Sequence, residues 1–336
     1  MSNLVTNMPR LLNQTAVIIS TEYLISSLFT IITNASLLIF ILTHSRLRQC
    51  KNAIVCSTSM AGILFALCYI LPRFAIMYTN GIQIWPRDYR CGLLSRIGQA
   101  IFFSLNVHLM IRILEIYVQV CYPFKSSRLL TTRNITVLLF VVWSVTASIP
   151  IGIQIFVEVG AASNVFNAAA CILVSFKLLT IFSIILAIFS LIVLIFSTIA
   201  YIRVLYITNH AVQRIRHLSH SISVAINREI KYEKRAKGIR QALILLLVYL
   251  LSMIPFLVLV IYSQFYYNSS IIRPWPPGLV TALRLFQYIA FLFPGFQPFL
   301  LASFTADIRE ELVKYYNQRR ITRSSRSIPL SVTPPG

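Results

Sequence analysis

The sequence predicts an all-α membrane protein, a seven-helix transmembrane bundle followed by a short amphipathic eighth helix. Hydrophobic residues make up 57% of the 336 residues and charged residues only 12%, whereas a soluble protein has about 25% charged residues. Seven apolar stretches are each long enough to cross a bilayer as a helix, which takes about 17–25 residues, and none has the alternating pattern of a membrane barrel. They are 22–43, 53–77, 92–120, 135–157, 172–206, 239–262 and 279–304.

The individual stretches differ in ways that bear on the bundle. The first lacks a preceding basic segment and a cleavage site, so we expect it to be a retained span and not a removed signal peptide. The fifth is longer than a span requires and is expected to continue past the bilayer. The seventh contains Pro294 and Pro298, which kink a buried membrane helix without ending it.

The charge is strongly one-sided, with 30 Lys and Arg against 9 Asp and Glu and a formal net charge of +21. Nucleic-acid binding is the usual interpretation of such a balance, but it requires a soluble fold that this composition excludes. Most of the basic residues follow the first, third and fifth stretches or lie in the C-terminal tail. Because short cytoplasmic loops carry the Lys/Arg excess, the N-terminus is predicted outside the cell and the C-terminus inside.

The domain organisation follows from this topology in the plasma membrane. We expect an extracellular N-terminus over 1–20, a transmembrane domain over 21–304, an amphipathic helix over 305–318 and a disordered cytoplasmic tail over 319–336. The sequons at Asn13 and Asn268 fall on the outer side and are expected to be glycosylated. The basic inner side suits contact with anionic lipids of the inner leaflet.

Residues at fixed distances resemble those of rhodopsin-like (class A) G-protein-coupled receptors. Cys91 precedes Glu115-Ile116-Tyr117 by 24 residues, in the place of the family's Asp-Arg-Tyr stretch, and Pro123 closes the segment. Asn34 stands 18 residues before Asn52, which is similar to the family's spacing in its first two helices. Further matches are Trp143 in the fourth stretch, Pro255 in the sixth and Gln297-Pro298-Phe299-Leu300-Leu301 in the place of Asn-Pro-x-x-Tyr.

The resemblance implies a receptor for an extracellular ligand that acts on a heterotrimeric G protein and also on arrestin. It further implies a disulfide between Cys91 and Cys171, which lie at the outer ends of the third and fifth stretches. Such a bond persists in the oxidising environment outside the cell. No cofactor is implied.

The sequence departs from the family at its switch positions. Ile116 replaces the arginine, Gly62 the helix-two aspartate and Met253 the helix-six tryptophan. Val193, judged by its distance from Tyr201, stands for the helix-five proline. The candidate switching and coupling residues are Arg112, Glu115, Ile116, Tyr117, Tyr201, Met253, Pro255, Gln297 and Pro298. Asn34, Gly62 and Gln297 are expected to converge mid-membrane, where the two amides can hydrogen-bond.

Arg112 is a charge inside a membrane helix, and such a charge is functional by default. It lies three residues before Glu115 and one turn before Ile116, on a shared helical face. One hypothesis is a local ion pair with Glu115. The other is a relocated ionic switch that serves in place of the missing arginine.

The ligand is predicted to be a peptide or an anionic or chemosensory small molecule. Gly98 stands where amine receptors carry an aspartate, so an ammonium ligand is disfavoured. Basic side chains in the outer halves of the helices either reach interfacial water or give the mouth a positive potential. The candidate ligand-binding residues are Arg73, Arg96, Gln99, Phe102, Lys177 and Arg284.

Other classes of protein have less support. An enzyme or metal site would need clustered His, Asp or Glu ligands, and the five histidines are scattered. A transporter or channel would need polar positions along several helices, yet the fourth to sixth stretches are nearly all apolar. A receptor-like protein that has lost G-protein coupling stays open because of Ile116.

Overall fold

A computed structural model describes residues 2–49, 52–76, 93–161, 244–263 and 276–326, with Tyr266 and scattered positions between 181 and 206. The regular elements in these ranges are all helical. They are α1 (Ser2–Thr43), α2 (Ala53–Phe65), α3 (Leu93–Cys121), α4 (Pro123–Leu129), α5 (Thr132–Ala161), α6 (Ile244–Ser263), α7 (Pro277–Phe304) and α8 (Ala306–Arg326). A 3-10 turn at Ser45–Leu47 follows α1, and a π-helix at Ala66–Ile76 continues α2.

Five helical segments among the described residues are long and apolar enough to cross a membrane: 17–43, 53–72, 100–119, 244–263 and 278–304. A shorter apolar segment, Thr132–Ser148, lies in α5. These correspond to the first, second, third, sixth, seventh and fourth predicted stretches. Most of the fifth stretch, 172–206, lies outside the described residues, and its described positions are helical.

Two helices are longer than the sequence predicts. α1 begins at Ser2, so that most of the segment predicted as an extracellular N-terminus is helical and continuous with the first span. Residues 11–19 contain neither glycine nor proline, and nothing in them ends a helix. α8 extends to Arg326, past the predicted end at 318.

The side chains are arranged as a membrane bundle requires. Large apolar residues on outward faces are exposed, such as Phe140 at 71% and Leu251 at 66%, while Phe65 and Tyr249 in the interior are fully buried. In lipid an outward apolar face is favourable, and backbone polar groups must be satisfied within each helix. The resulting core lies between α1, α2, α3, α6 and α7.

Several buried threonines inside the helices are satisfied locally. The hydroxyls of Thr30, Thr58 and Thr146 donate to carbonyl oxygens four residues earlier in the chain at 2.9, 2.7 and 2.7 Å. This pattern of Ser and Thr bonding lets a hydroxyl be buried without a partner on another helix. Polar contacts between helices are therefore few, and each marks a specific junction.

The π-helix at Ala66–Ile76 contains Pro72. Proline has no N–H to donate and its ring clashes with the preceding turn of an α-helix. A wider π turn accommodates such a residue, and π-helical segments are frequent near functional sites. This segment packs against α1 and α3, so its altered phase sets which side chains of the second span face the bundle.

A close junction joins α1 to α7. Pro298 cannot donate to the carbonyl four residues earlier, at Pro294, and the Asn34 side-chain amide donates to that oxygen at 2.9 Å. A Cβ at Gly295 would lie 2.6 Å from the Phe29 ring. The two helices approach closely because the glycine has no side chain and because the freed carbonyl has a partner.

Candidate functional site

A polar cluster lies at the α8 end of the bundle, formed by buried Arg112 and Glu115 and exposed Gln119 of α3 with buried Thr305 between α7 and α8. We call it the Arg112 cluster. Arg112 Nη1 donates to Glu115 Oε2, and Arg112 Nη2 donates to Thr305 Oγ1 at 2.9 Å. Gln119 Nε2 donates to Glu115 Oε1 at 3.0 Å. The guanidinium therefore contacts both its own helix and the start of α8.

Burying the charges of Arg112 and Glu115 costs free energy. Arg112, Glu115 and Thr305 are only 7%, 3% and 7% exposed. A charge at the centre of a membrane helix costs from about 2.5 to more than 10 kcal/mol, and pairing the two opposite charges offsets much of that cost. The local ion pair with Glu115 is present, and a hydrogen bond to another element forms beside it.

The neighbouring switch residues are less fully described. Ile116 lies in α3 one turn after Arg112, and its side chain is outside the described part. Tyr117 is half-buried and packs edge-on against Tyr122, with ring centroids 6.0 Å apart. Tyr117 therefore lies at the end of α3, at the same end of that helix as the Arg112 cluster.

A second polar group lies mid-membrane around Asn34. A Cβ at Gly62 would meet Asn34 Oδ1 at 2.9 Å, so the two helices touch there through the glycine. Asn34 Nδ2 donates to the carbonyls of Thr30 and Pro294, both at 2.9 Å, and the Nε2 of buried Gln297 has no hydrogen-bond partner among the described residues. Asn34 lies beside Gly62, and its amide donates to main-chain oxygens and not to Gln297, with which a hydrogen bond was expected.

A third polar group joins three helices around Ser57 of α2. Trp143 Nε1 of α5 donates to Ser57 Oγ at 2.9 Å, and Ser57 Oγ lies 2.8 Å from Nε2 of buried His108 in α3. His108 Nδ1 lies 2.7 Å from the carbonyl oxygen of Ser104. A neutral imidazole with its proton on Nδ1 satisfies every contact, because Ser57 then accepts from Trp143 and donates to Nε2.

At the opposite end of the bundle, aromatic side chains fill the space beside α3. A Cβ at Gly98 would lie only 2.0 Å from Tyr69 Cδ2, so Tyr69 occupies the place of any side chain at 98. Tyr69 stacks on Phe65 with centroids 5.4 Å apart, and half-buried Phe102 packs against Phe65 at 5.3 Å. Phe291 of α7 completes the group.

Among the basic candidates for ligand binding, the structure describes the side chain of only one. Arg284 lies in α7 near its first turn and is exposed. Arg73 belongs to the π-helix, and Arg96 and Gln99 belong to α3; their side chains are outside the described part. Lys177 lies outside the described residues.

The remaining predicted positions are these. Met253 is 1% exposed in the core, and Pro255 is half-buried in α6. Pro298 is buried in α7, and Asn13 lies in α1. Tyr201, Cys91, Cys171 and Asn268 fall outside the described residues. No group of three or more His, Cys, Asp or Glu in the described ranges could hold a metal ion.

Thr305 and Ser57 are among the residues of these clusters that were not singled out in the sequence. Thr305 stands at the predicted start of the amphipathic helix, where a threonine is a common N-cap, and that position was a usable signal. Its own backbone is extended, with φ −87° and ψ 110°. Ser57 gives no such signal, because its role depends on which faces of α2, α3 and α5 meet.

The described helices form a bundle with apolar outward faces and buried polar junctions, as expected of a multi-pass membrane protein. The family model of the seven-transmembrane receptors of the rhodopsin family matches residues 33–298, which is most of the chain. The chain therefore belongs to the rhodopsin family of G-protein-coupled receptors. No curated protein matches the sequence.

Membership of this family establishes the general class of the protein. The protein is a receptor built as a seven-helix bundle, and its family responds to extracellular ligands and acts on G proteins. The matched range contains the Arg112 cluster's α3 residues, the Asn34 group and the Ser57 group, so all three lie within the receptor domain.

Proposed function

We propose that this receptor binds a peptide or an anionic small molecule at its extracellular mouth and signals to a heterotrimeric G protein. The observation that carries the ligand part is the packing of Tyr69 over Gly98. The space beside Gly98, in which an aspartate would hold an ammonium group, is filled by aromatic rings. A ligand that engages the receptor above these rings fits this arrangement better than a small amine bound beneath them.

The charge of the mouth supports an anionic group on the ligand. Arg284 is exposed in the first third of α7. Arg73, Arg96 and Lys177 lie in the predicted outer halves of the second, third and fifth apolar stretches. Basic side chains around a cleft raise the local concentration of anions and steer them towards it. Acidic side chains or a free C-terminal carboxylate are the groups that such a surface selects.

The topology and partners follow the same proposal. We place the N-terminus outside and the C-terminus inside the plasma membrane, with Asn13 and Asn268 glycosylated and Cys91 bonded to Cys171. Epitope tags at the two termini, detected before and after permeabilisation, test this orientation. Arrestin and anionic inner-leaflet lipids are the further partners that the basic inner side suits.

A ligand screen tests the ligand part of the proposal. Cells that express the receptor with a promiscuous G protein, and in parallel with an arrestin reporter, are exposed to peptides with free C-terminal carboxylates and to their amidated counterparts. We expect responses to the carboxylate forms, and at least a tenfold loss of potency in the double variant Arg73→Gln/Arg284→Gln, since each lost charge contact is worth about 1.5–3 kcal/mol. Arg10→Gln is the matched control on the same proposed side. Equal responses to both peptide forms, or full potency in the double variant, would contradict the proposal.

A second candidate function is a receptor-like protein that does not couple to G proteins. Ile116 favours it, because this position lacks the family's arginine. The two readouts of the screen separate the candidates, since arrestin recruitment without any G-protein response supports the second and excludes the first.

A further inference from the structure

We propose that Thr305 positions Arg112, and that their hydrogen bond is a latch that joins α3 to the start of α8 in the resting receptor. The inference rests on the proposed signalling function, to which it adds a residue and a contact. Thr305 lies 193 residues from Arg112 in the chain, and Nη2 of the arginine donates to its hydroxyl oxygen at 2.9 Å.

The ion pair itself does not join elements. Glu115 and Gln119 belong to the same helix as Arg112, so they move with it when α3 moves. Within the described part of the chain, Thr305 is the partner through which the Arg112 cluster reaches another element. The neutral hydroxyl contact, and not the charge pair, is therefore the part that can open and close.

The backbone of Thr305 holds the hydroxyl in place. Its N–H donates to the carbonyl of Leu301 at 2.9 Å, and its carbonyl accepts from the N–H of Arg309 at 3.0 Å. Thr305 therefore lies at the junction where α7 ends and α8 begins. The fully buried Ile308 anchors the first turn of α8. A displacement of the end of α7 must therefore move the acceptor of Arg112.

The strength of the contact suits a switch. Interhelical hydrogen bonds in membranes change an equilibrium by about 3- to 20-fold. Breaking the Thr305 contact leaves Arg112 paired with Glu115, so the opened state contains no isolated buried charge. A ligand with a modest preference for the open state is enough to shift such an equilibrium.

The test compares Thr305→Val, which keeps the shape and removes the hydroxyl, with Thr305→Ser, which keeps the hydroxyl. Thr58→Val is the matched control, because the hydroxyl of this buried threonine bonds only within its own helix, to the Ile54 carbonyl at 2.7 Å. Spin labels at Lys125→Cys and Asn317→Cys, both exposed sites, report the distance between α4 and α8 in the full-length receptor in nanodiscs, with Cys50 and Cys121 changed to serine. Nucleotide exchange on purified G proteins is measured on the same preparations.

We expect Thr305→Val to increase the population of the longer label distance by about 3- to 20-fold, and Thr305→Ser and Thr58→Val to keep the resting distribution. An unchanged distribution in Thr305→Val, or the same shift in Thr305→Ser, overturns the latch. A shift that occurs without nucleotide exchange on any G protein supports the latch and contradicts the coupling part of the proposed function. Exchange that rises without a shift overturns the latch and leaves the coupling intact.

Discussion

Gly62 and Asn34 show how a single missing side chain shapes the centre of the bundle. The Asn34 amide occupies the space beside Gly62 and reaches the Pro294 carbonyl. An aspartate at 62 would have to share this space with Asn34, and its Cβ alone would lie 2.9 Å from Oδ1. The close packing of α1 on α2 therefore depends on glycine in the place of the family's aspartate.

We predict that Gly62→Ala destabilises the receptor by about 1–3 kcal/mol, the usual cost of overpacking a filled core. Thermal unfolding in detergent measures it. Gly152→Ala is the control, because a Cβ there meets nothing within 4 Å and alanine is the better helix former. Equal melting temperatures for the two variants would show that α1 and α2 are not in contact at Gly62.

At this scale the sequence predicted part of each cluster. The separation of three residues on one helical face predicted the Arg112–Glu115 ion pair. The resemblance to the receptor family predicted that Asn34 lies near Gly62. The acceptor of the Asn34 amide was deducible as well, since Pro298 leaves the Pro294 carbonyl free. Thr305 could be identified as a helix cap, but its contact with Arg112 could not be predicted, because that contact depends on where α7 ends relative to α3.

At the scale of elements, α2, α3 and α5 meet at Ser57. The hydroxyl accepts from Trp143 of one helix and pairs with His108 of another, and the indole and imidazole rings lie 5.6 Å apart. Interhelical hydrogen bonds of this kind contribute an average of about 0.6 kcal/mol in membrane proteins. The group therefore sets which helix faces meet more than it stabilises the fold.

We predict that Trp143→Phe and Ser57→Ala are not additive. Each removes the same contact, so the double variant should be about 0.6–1.7 kcal/mol more stable than the sum of the single losses predicts. Unfolding of the four proteins of the cycle in detergent measures this coupling. The exposed pair Arg46 and Glu310, 3.8 Å apart, is the control cycle, with an expected coupling near zero. Additive losses at Trp143 and Ser57 would mean that the indole does not bond the hydroxyl.

Helix positions were the most predictable elements, because apolar length decides them. The ends of the helices were less predictable than their positions. α1 starts at Ser2 and α8 ends at Arg326, in segments where no residue marks the end of a helix near the predicted boundary. The π-helix at Ala66–Ile76 was not predicted either. Pro72 was its only local cue, and a proline is equally compatible with a simple kink.

At the scale of the whole molecule, we interpret the net charge of +21 as a mark of loops that face the cytoplasm and not of an affinity for nucleic acid, because the chain belongs to a family of membrane receptors. Few charges enter the spanning segments, and the described pair among them, Arg112 and Glu115, is buried at the α8 end of α3. We propose that this pair serves as the receptor's switch, with Arg112 one helical turn before the position of Ile116.

The most direct test of the account is agonist-independent nucleotide exchange on a panel of G proteins, measured at equal receptor amounts in nanodiscs. The variant Arg112→Gln/Glu115→Gln removes both charges without leaving a lone buried carboxylate, and Arg133→Gln, exposed in α5, is the control. We predict exchange above the receptor-free level for at least one G protein, and a change of about 3- to 20-fold in the double variant alone, the range expected when one interhelical contact is lost. No exchange on any G protein, or the same rate in the double variant as in wild type, would contradict the claim that this receptor signals through Arg112.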